Sequence, residues 1–187
     1  MSTDDKILLD QDERRKYEFR DEAKAIYQTE KGLSEETVRE ISKIKGEPEF
    51  MLKFRLDSLK EFFNHHQPTY GPDLNWIDFQ NYTYYTRVSD KIAQDWDEVP
   101  DEVKNTFDKL GIPEAEQRLL SGVTTQYESE AVYSNMLKEV TDKGVVFLDT
   151  DTGLKEYPEI FKKYFGKLVP PQDNKDAALN SAVWSGG

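Results

Sequence analysis

Cysteine is absent from the 187 residues of the chain. Disulfides, thiolate nucleophiles and metal sites built on thiolate ligands are therefore excluded within this chain, because each of them needs cysteine sulfur. The sequence also lacks a run of about 18 apolar residues that could span a bilayer. The first residues contain neither the basic region nor the apolar core of a signal peptide. These absences predict a cytosolic protein that has no membrane partner.

Acidic residues outnumber basic ones. The chain has 25 Lys and Arg residues against 37 Asp and Glu residues, for a formal net charge of −12. An acidic protein repels phosphate backbones, so we expect no nucleic-acid partner. Hydrophobic residues make up 36% of the chain and aromatic residues 12%. Because disordered chains are poor in aromatic residues, this composition predicts one modest folded domain with mobile ends.

Catalytic signature motifs are lacking as well. The sequence contains no Gly-x-Ser-x-Gly turn, no phosphate-binding Gly-x-x-x-x-Gly-Lys loop and no dinucleotide fingerprint. We therefore assign no catalytic residue and no cofactor-binding residue, and we do not expect an enzyme.

Two groups of residues have the side chains of a metal site but not its spacing. Asp149 and Asp151 follow a predicted strand, where carboxylates often bind Mg²⁺ or Ca²⁺. No further acidic residue completes that site, so we interpret Asp151 or Thr152 as a helix cap. His65 and His66 are adjacent, point about 100° apart if helical, and have no third histidine to join them. We assign no metal site.

The sequence divides into three parts: residues 1–31, 32–143 and 144–187. The first part is crowded with charge and has no apolar periodicity. It predicts a mobile or loosely docked segment with a short helix around residues 20–28, and a docking arm is the alternative. The second part predicts a helical domain. The third part predicts a transition from a strand to helices.

Capping signals place the first helices. Ser34 is a good N-cap and Gly46 a good stop, with Val38, Ile41 and the stem of Lys45 on one side. The next helix begins at Pro48 and ends near Asn64. Its apolar residues recur at helical spacing: Leu52, Leu56, Leu59 and Phe63.

Residues 68–100 are irregular and rich in aromatic side chains, which we expect to pack over the helical core, with an extended piece at 82–88. Three helices are predicted next: from Pro100 to Gly111, from Pro113 to Gly122, and from a Ser129 cap to Gly144. The third carries an apolar stripe: Val132, Tyr133, Met136, Leu137 and Val140. Residues 144–148 then predict a buried strand, and two further helices are expected at 158–166 and 173–182.

The last residues become more apolar, whereas frayed ends gain nothing from apolar side chains that cannot be buried. We therefore expect the chain to be a fragment whose final packing partners lie further on. On that interpretation, the tail at 178–184 is mobile or prone to self-association.

Seven blocks carry a specific pattern in a fixed order: GLSEETVREIS (32–42), EPEFMLKFRL (47–56), YGPDL (70–74), GIPEAE (111–116), QYESE (126–130), DTDT (149–152) and VPPQDNKDAALNSAVWSGG (169–187). Together these collinear blocks resemble the SufB family, the scaffold subunits of SUF iron–sulfur cluster assembly. The C-terminal block resembles the segment that leads into the β-helix of that family.

The resemblance implies an α+β fold: a mainly α N-terminal domain leading into a truncated right-handed parallel β-helix. It implies a cluster-assembly scaffold that works with the ATPase SufC and with SufD, mostly through regions beyond residue 187. Acceptor or sulfur-transfer proteins are further partners. The cluster-building residues of the family also lie beyond Gly187, so none is transferred to this chain and no cofactor is expected in it. Leu148 stands where some relatives have cysteine.

The alternative to a cluster-assembly scaffold is a free-standing acidic helical module for protein interaction.

Overall fold

The computed structural model describes residues 24–113 and 122–185. The elements follow in chain order as strand β1 (Tyr27–Gln28), helices α1 (Glu35–Lys45) and α2 (Glu49–Asn64), strand β2 (Thr86–Arg87), helix α3 (Asp101–Leu110), strands β3 (Val123–Tyr127) and β4 (Glu130–Asn135), and helices α4 (Lys138–Thr141), α5 (Thr150–Glu156), α6 (Pro158–Tyr164) and α7 (Lys175–Val183). β1 pairs with β2, and β3 pairs with β4, both antiparallel. The predicted α+β class is therefore confirmed. The described residues form no parallel β-helix.

The first two helices begin and end where their capping residues predict. The Ser34 hydroxyl accepts a hydrogen bond from the Thr37 N–H at 3.2 Å, and Gly46 ends α1 in the left-handed conformation, with φ 62°. The residues predicted to share one side of α1, Val38, Ile41 and Lys45, are all buried.

Helix α2 has the predicted length, but of the four residues predicted to form its apolar face only Leu59 is fully buried. Its buried residues are Met51, Arg55, Ser58, Leu59 and Phe62. Phe63, which the apolar spacing placed in the core, is 56% exposed. The face that packs against the rest of the molecule therefore includes an arginine and a serine.

The C-terminal helix α7 packs against α2, with α1 beside it. Its buried residues Ala178 and Ala182 belong to what we call the helical core: Leu33, Val38, Leu59, Phe62, Ala178 and Ala182. The small alanine side chains let the two helices approach closely. The expectation of a mobile tail without packing partners is therefore wrong, since residues 178–183 find their partners within this chain.

Residues 123–135 form a β-hairpin, so the helix predicted from Ser129 to Gly144 is wrong over its first half. Tyr127 is opposite Glu130, which leaves a two-residue turn in which Glu128 adopts a left-handed conformation with φ 54°. The second half of the predicted helix is reduced to the short α4 (Lys138–Thr141). The apolar stripe matches helical spacing, but its first members are strand residues.

The hairpin covers a second core, the hairpin core: Ala93, Trp96, Val99, Val103, Tyr127, Val132 and Tyr133. The Trp96 ring lies edge-on to Tyr133 at 5.3 Å and to Phe107 at 5.8 Å between ring centres. Ala93 also bridges β4, because its N–H donates to Val132 and its carbonyl accepts from Ser134, both at 2.9 Å. Packing of the irregular segment thus selects strand over helix here.

The buried strand predicted at 144–148 is also wrong. Residues 145–148 form no strand, and their side chains are 39–57% exposed. The apolar run alone could not show this, because burial of a strand depends on partners that are distant in the sequence.

Other predictions have mixed outcomes. The helix predicted around residues 20–28 is not present in its described part, where Tyr27–Gln28 is a strand paired with Thr86–Arg87. Residues 114–121 of the helix predicted between Pro113 and Gly122 lie outside the described residues. The helices predicted at 100–111, 158–166 and 173–182 are confirmed as α3, α6 and α7, with small differences at their ends.

No helix in the described part of the chain is long and apolar enough to cross a bilayer.

Candidate functional site: an apolar groove beside a buried charge cluster

Residues 145–148 line an open groove of about 560 Å³. We call it the apolar groove and define it by its apolar lining residues: Ile92, Met136, Val145, Val146, Phe147, Leu148 and Tyr157. Its ionisable lining side chains are the carboxylates of Asp149 and Glu156 and the phenol of Tyr157. The other lining residues are polar: Gln94, Ser134, Thr141, Asp149, Thr152 and Glu156.

Two helix ends hold the groove segment in place. Gly144, with φ +81°, ends the turn after α4 and donates its N–H to the Thr141 carbonyl. On the other side, the Asp149 carboxylate caps α5 by accepting the N–H groups of Asp151 and Thr152, both at 3.0 Å. Capping is confirmed here, but the cap is Asp149 and not the predicted Asp151 or Thr152.

Behind the groove, four ionisable side chains from distant parts of the chain meet. We call this set the Lys45 cluster: Lys45, Tyr85, Glu130 and Asp151. The Lys45 ammonium lies 2.5 Å from an Asp151 carboxylate oxygen and 3.7 Å from Glu130, and its side chain is fully buried. The Tyr85 hydroxyl donates a hydrogen bond to Glu130. The cluster thereby ties together α1, the hairpin and α5.

Burial dominates the protonation of the cluster. It raises the pKa of Asp151 above the usual 3.8, although the nearby Lys45 ammonium opposes the shift. The carboxylates of Glu130 and Asp149 add to the rise. Burial and the hydrogen bond to Glu130 likewise raise the pKa of Tyr85. One Asp151 oxygen is buried and makes no hydrogen bond with the described residues.

A second buried cation, Arg55, holds the end of the described chain. Its guanidinium donates to both carboxylate oxygens of Glu47, at 2.7 and 2.6 Å. It also donates to the carbonyl oxygens of Ala182 at 3.0 Å and Trp184 at 2.9 Å. We call Glu47, Arg55 and Trp184 the Arg55 cluster. Because each of the three guanidinium nitrogens donates at least one hydrogen bond and Glu47 supplies the opposite charge, the buried cation is well compensated.

These arrangements have the chemistry of structural ion pairs. Among the described residues, no group of three or more His, Asp and Glu side chains is placed to hold a metal ion. Asp149 and Asp151, which the sequence puts side by side, have separate roles as a helix cap and as the partner of Lys45. His65 is the C-cap residue of α2, and the adjacent His66 is exposed.

Sequence reasoning missed both clusters. Lys45 is assigned only an aliphatic stem, and Arg55 is not singled out at all. A signal does exist for Arg55, which falls at helical spacing between Met51 and Leu59 on what would otherwise be an apolar face. Its acceptors at Ala182 and Trp184 are more than 120 positions away, so the spacing could not identify them.

The fold is thus an α+β module with an open groove and two clusters of buried ion pairs. No family model matches the chain. The chain is 57% identical over 171 residues to an iron–sulfur cluster assembly SufBD family protein of Staphylococcus saprophyticus, covering 91% of this chain and 37% of that protein. It is 58% identical over 172 residues to a protein of the same description from Staphylococcus aureus strain USA300, covering 92% of this chain and 37% of that protein. The chain therefore spans just over a third of the length of these curated relatives.

Proposed function

We propose that this chain is the N-terminal portion of an iron–sulfur cluster assembly scaffold of the SufBD family, SufB-like in type. The observation that carries the proposal is 57–58% identity over 91–92% of the chain to relatives named for that role. The same blocks that resemble SufB in the sequence include residues with clear structural roles, such as Glu47, Arg55 and Asp149. The portion acts as a structural module and not as an enzyme.

In the whole protein, this portion works within an assembly with SufC and SufD. The contacts that build clusters, and most contacts with the partners, belong to the polypeptide beyond residue 187. The test is co-purification of tagged SufC and SufD with the full-length gene product and, in parallel, with the 187-residue chain. We expect stoichiometric recovery with the full-length product and little with the short chain. Failure of the full-length product to retain either protein would overturn the proposal.

The assignment of cluster building to residues outside this chain predicts a further result. Because the chain has no cysteine, it lacks the usual ligands of an iron–sulfur cluster. We expect the chain, mixed anaerobically with Fe²⁺ and sulfide and then desalted, to show no visible cluster absorption. A stable, stoichiometric absorption band would contradict the assignment of cluster building to other residues.

One observation favours the second candidate function, a free-standing acidic module for protein interaction. The helical core is closed by α7, so the described chain packs without a further sheet. The coding sequence decides between the two candidates. A reading frame that continues past codon 187 into repeated short strands supports the scaffold, and a stop codon at that point supports the free-standing module.

A further inference from the structure

The groove segment, residues 145–148, is exposed. Val146, Phe147 and Leu148 make no main-chain hydrogen bond with other described main-chain groups. The side chains of Val146 and Phe147 are 57% and 40% exposed. An exposed apolar segment whose N–H and C=O groups pair with no described main-chain group is a template for pairing with another strand. Proteins normally cover such a segment, and peptide segments dock on them by adding a strand.

The position of the chain end indicates what covers the groove. At one end of β3, the Gln126 side-chain amide lies 3.5 Å from the carbonyl oxygen of Ser185, the last described residue. At the other end of β3, Gly122 lies against the Phe147 ring, since a Cβ placed on Gly122 would be 3.7 Å from it. Gln126 and Gly122 are four residue steps apart along the strand, or roughly 13 Å. A polypeptide that continues from Ser185 therefore needs only about five extended residues to reach the groove.

The length of the relatives makes such a segment available. The chain covers 37% of each relative, so most of a full-length protein of that size lies outside it. A second copy of this chain is a poorer occupant, because two surfaces that each belong to a chain of net charge −12 repel each other. The carboxylate lining of the groove adds to that repulsion.

We propose that the apolar groove receives an extended segment of the polypeptide that follows residue 187 in the full-length protein. That segment pairs its main chain with Val146, Phe147 and Leu148 as an added strand and buries their side chains. The inference rests on the proposed function in one respect, namely that this chain is part of a longer protein. In that protein, the groove joins the N-terminal portion to the rest and fixes their relative position.

Hydrogen exchange tests the proposal without any need for SufC, SufD or iron. Amide exchange is followed by mass spectrometry on the peptide that covers residues 143–149, in the 187-residue chain and in the full-length gene product. We expect rapid exchange in the short chain and exchange at least roughly tenfold slower in the full-length protein. A peptide covering residues 70–77, which contains the exposed Tyr70 and Trp76, is the internal control and should exchange equally fast in both.

A variant of the full-length protein completes the test. Phe147→Asp should restore rapid exchange at 143–149, whereas Phe63→Asp, at an exposed site of α2, should not. Slow exchange of the amides around Met51 and Leu59 shows that each variant is folded. If Phe147→Asp loses that protection, Val146→Lys replaces it, and the wild-type comparison stands in either case.

Three outcomes overturn the inference. Equal, rapid exchange in both proteins means that the groove stays open. Slow exchange in the short chain means that its own residues fill the groove. Protection of the full-length protein that appears only after SufC or SufD is added means that a separate protein is the occupant. Failure of the proposed function gives a different result, because loss of co-purification with SufC and SufD leaves this exchange comparison unchanged.

Discussion

The guanidinium of Arg55 lies 4.5 Å from the centre of the Trp184 ring while it donates a hydrogen bond to the carbonyl oxygen of the same residue. One side chain of α2 therefore fixes both the ring and the main chain at the end of α7. The guanidinium also donates two hydrogen bonds to the Glu47 carboxylate, which fix its orientation. The direction in which the chain leaves the helical core is thus defined by a buried ion pair.

Arg55→Met should strongly destabilise the fold. The substitution keeps most of the side-chain volume but leaves the Glu47 carboxylate buried without its partner, which costs about 3–5 kcal/mol. The free energy of unfolding, measured with urea, should fall by that amount. Lys53→Met, two positions away on an exposed part of α2, is the matched control and should change stability by less than about 0.5 kcal/mol. A cost below about 1 kcal/mol for Arg55→Met would show that Glu47 is compensated in another way.

Local signals explain which parts of the fold could be predicted. The ends of α1 and α3 follow from capping residues, such as Ser34, Gly46 and Gly111, whose effect depends only on the adjacent turn. The hairpin could not be predicted in this way. Val132 and Tyr133 match helical spacing, and the tight turn at Glu128 contains no glycine or asparagine to mark it.

The candidate site was less predictable than the fold, because its contacts join distant residues. Lys45 and Asp151 are 106 positions apart, and the sequence suggests only local roles for them, an aliphatic stem on one side of a helix for Lys45 and a helix cap for Asp151. The exposure of Phe147 follows from the absence of a paired strand beside it in the described chain, which no local pattern encodes. Sequence similarity identified the blocks that matter but not the contacts they make.

The raised pKa of Asp151 predicts the pH dependence of stability. A carboxyl group whose pKa is higher in the folded state contributes stability that is present below its unfolded pKa, about 3.8, and is lost as the pH rises through the folded pKa. In Asp151→Asn, this loss of stability above about pH 4 should disappear. Urea unfolding at several pH values checks the expectation.

Asp57→Asn provides the control for that experiment. A hydrogen bond from Lys53 lowers the pKa of Asp57, so this exposed carboxylate has the opposite linkage, and its small contribution is lost as the pH falls. A carboxyl titration by NMR should place the Asp151 midpoint above 3.8 and the Asp57 midpoint below it. The reverse order of the two midpoints would contradict burial as the dominant cause.

Tyr85→Phe should destabilise the fold by about 1.5–3 kcal/mol, because it removes a hydrogen bond donated to the Glu130 carboxylate in a partly buried site. Tyr84→Phe is a useful comparison, since the Tyr84 hydroxyl donates only to a neutral carbonyl, that of Phe79 at 2.7 Å. We expect it to cost about 1 kcal/mol. Equal costs for the two variants would show that the charge of Glu130 adds nothing.

Three tyrosines, Tyr27, Tyr84 and Tyr85, should ionise only at unusually high pH. Burial raises the pKa of Tyr84 to about 12, a hydrogen bond to Glu40 raises that of Tyr27 to about 12, and that of Tyr85 is raised further. An absorbance titration at alkaline pH should therefore show at least three of the ten tyrosines with midpoints near 12 or above. In Tyr85→Phe, the last part of that titration should be missing.

Gly166→Ala tests the contact between the end of α6 and helix α2. Gly166 is left-handed, with φ +66°, and a Cβ at this position would lie 2.7 Å from the Phe54 ring, which must then move. The Phe54 ring packs edge-on against Phe165 at 5.4 Å, so its movement disturbs an aromatic contact as well. We expect a loss of about 2–4 kcal/mol in the free energy of unfolding, from backbone strain and overpacking together.

Gly144→Ala separates the contribution of backbone strain from that of overpacking. Gly144 has a similar left-handed conformation, with φ +81°, but a Cβ there would meet nothing within 4 Å. Only the strain of about 1–2 kcal/mol should therefore appear. If the two variants lose the same stability, the Phe54 ring moves freely and α6 does not pack tightly against α2. A greater loss in Gly166→Ala means that the Phe54 ring is held in place, so that the end of α6 packs tightly against α2.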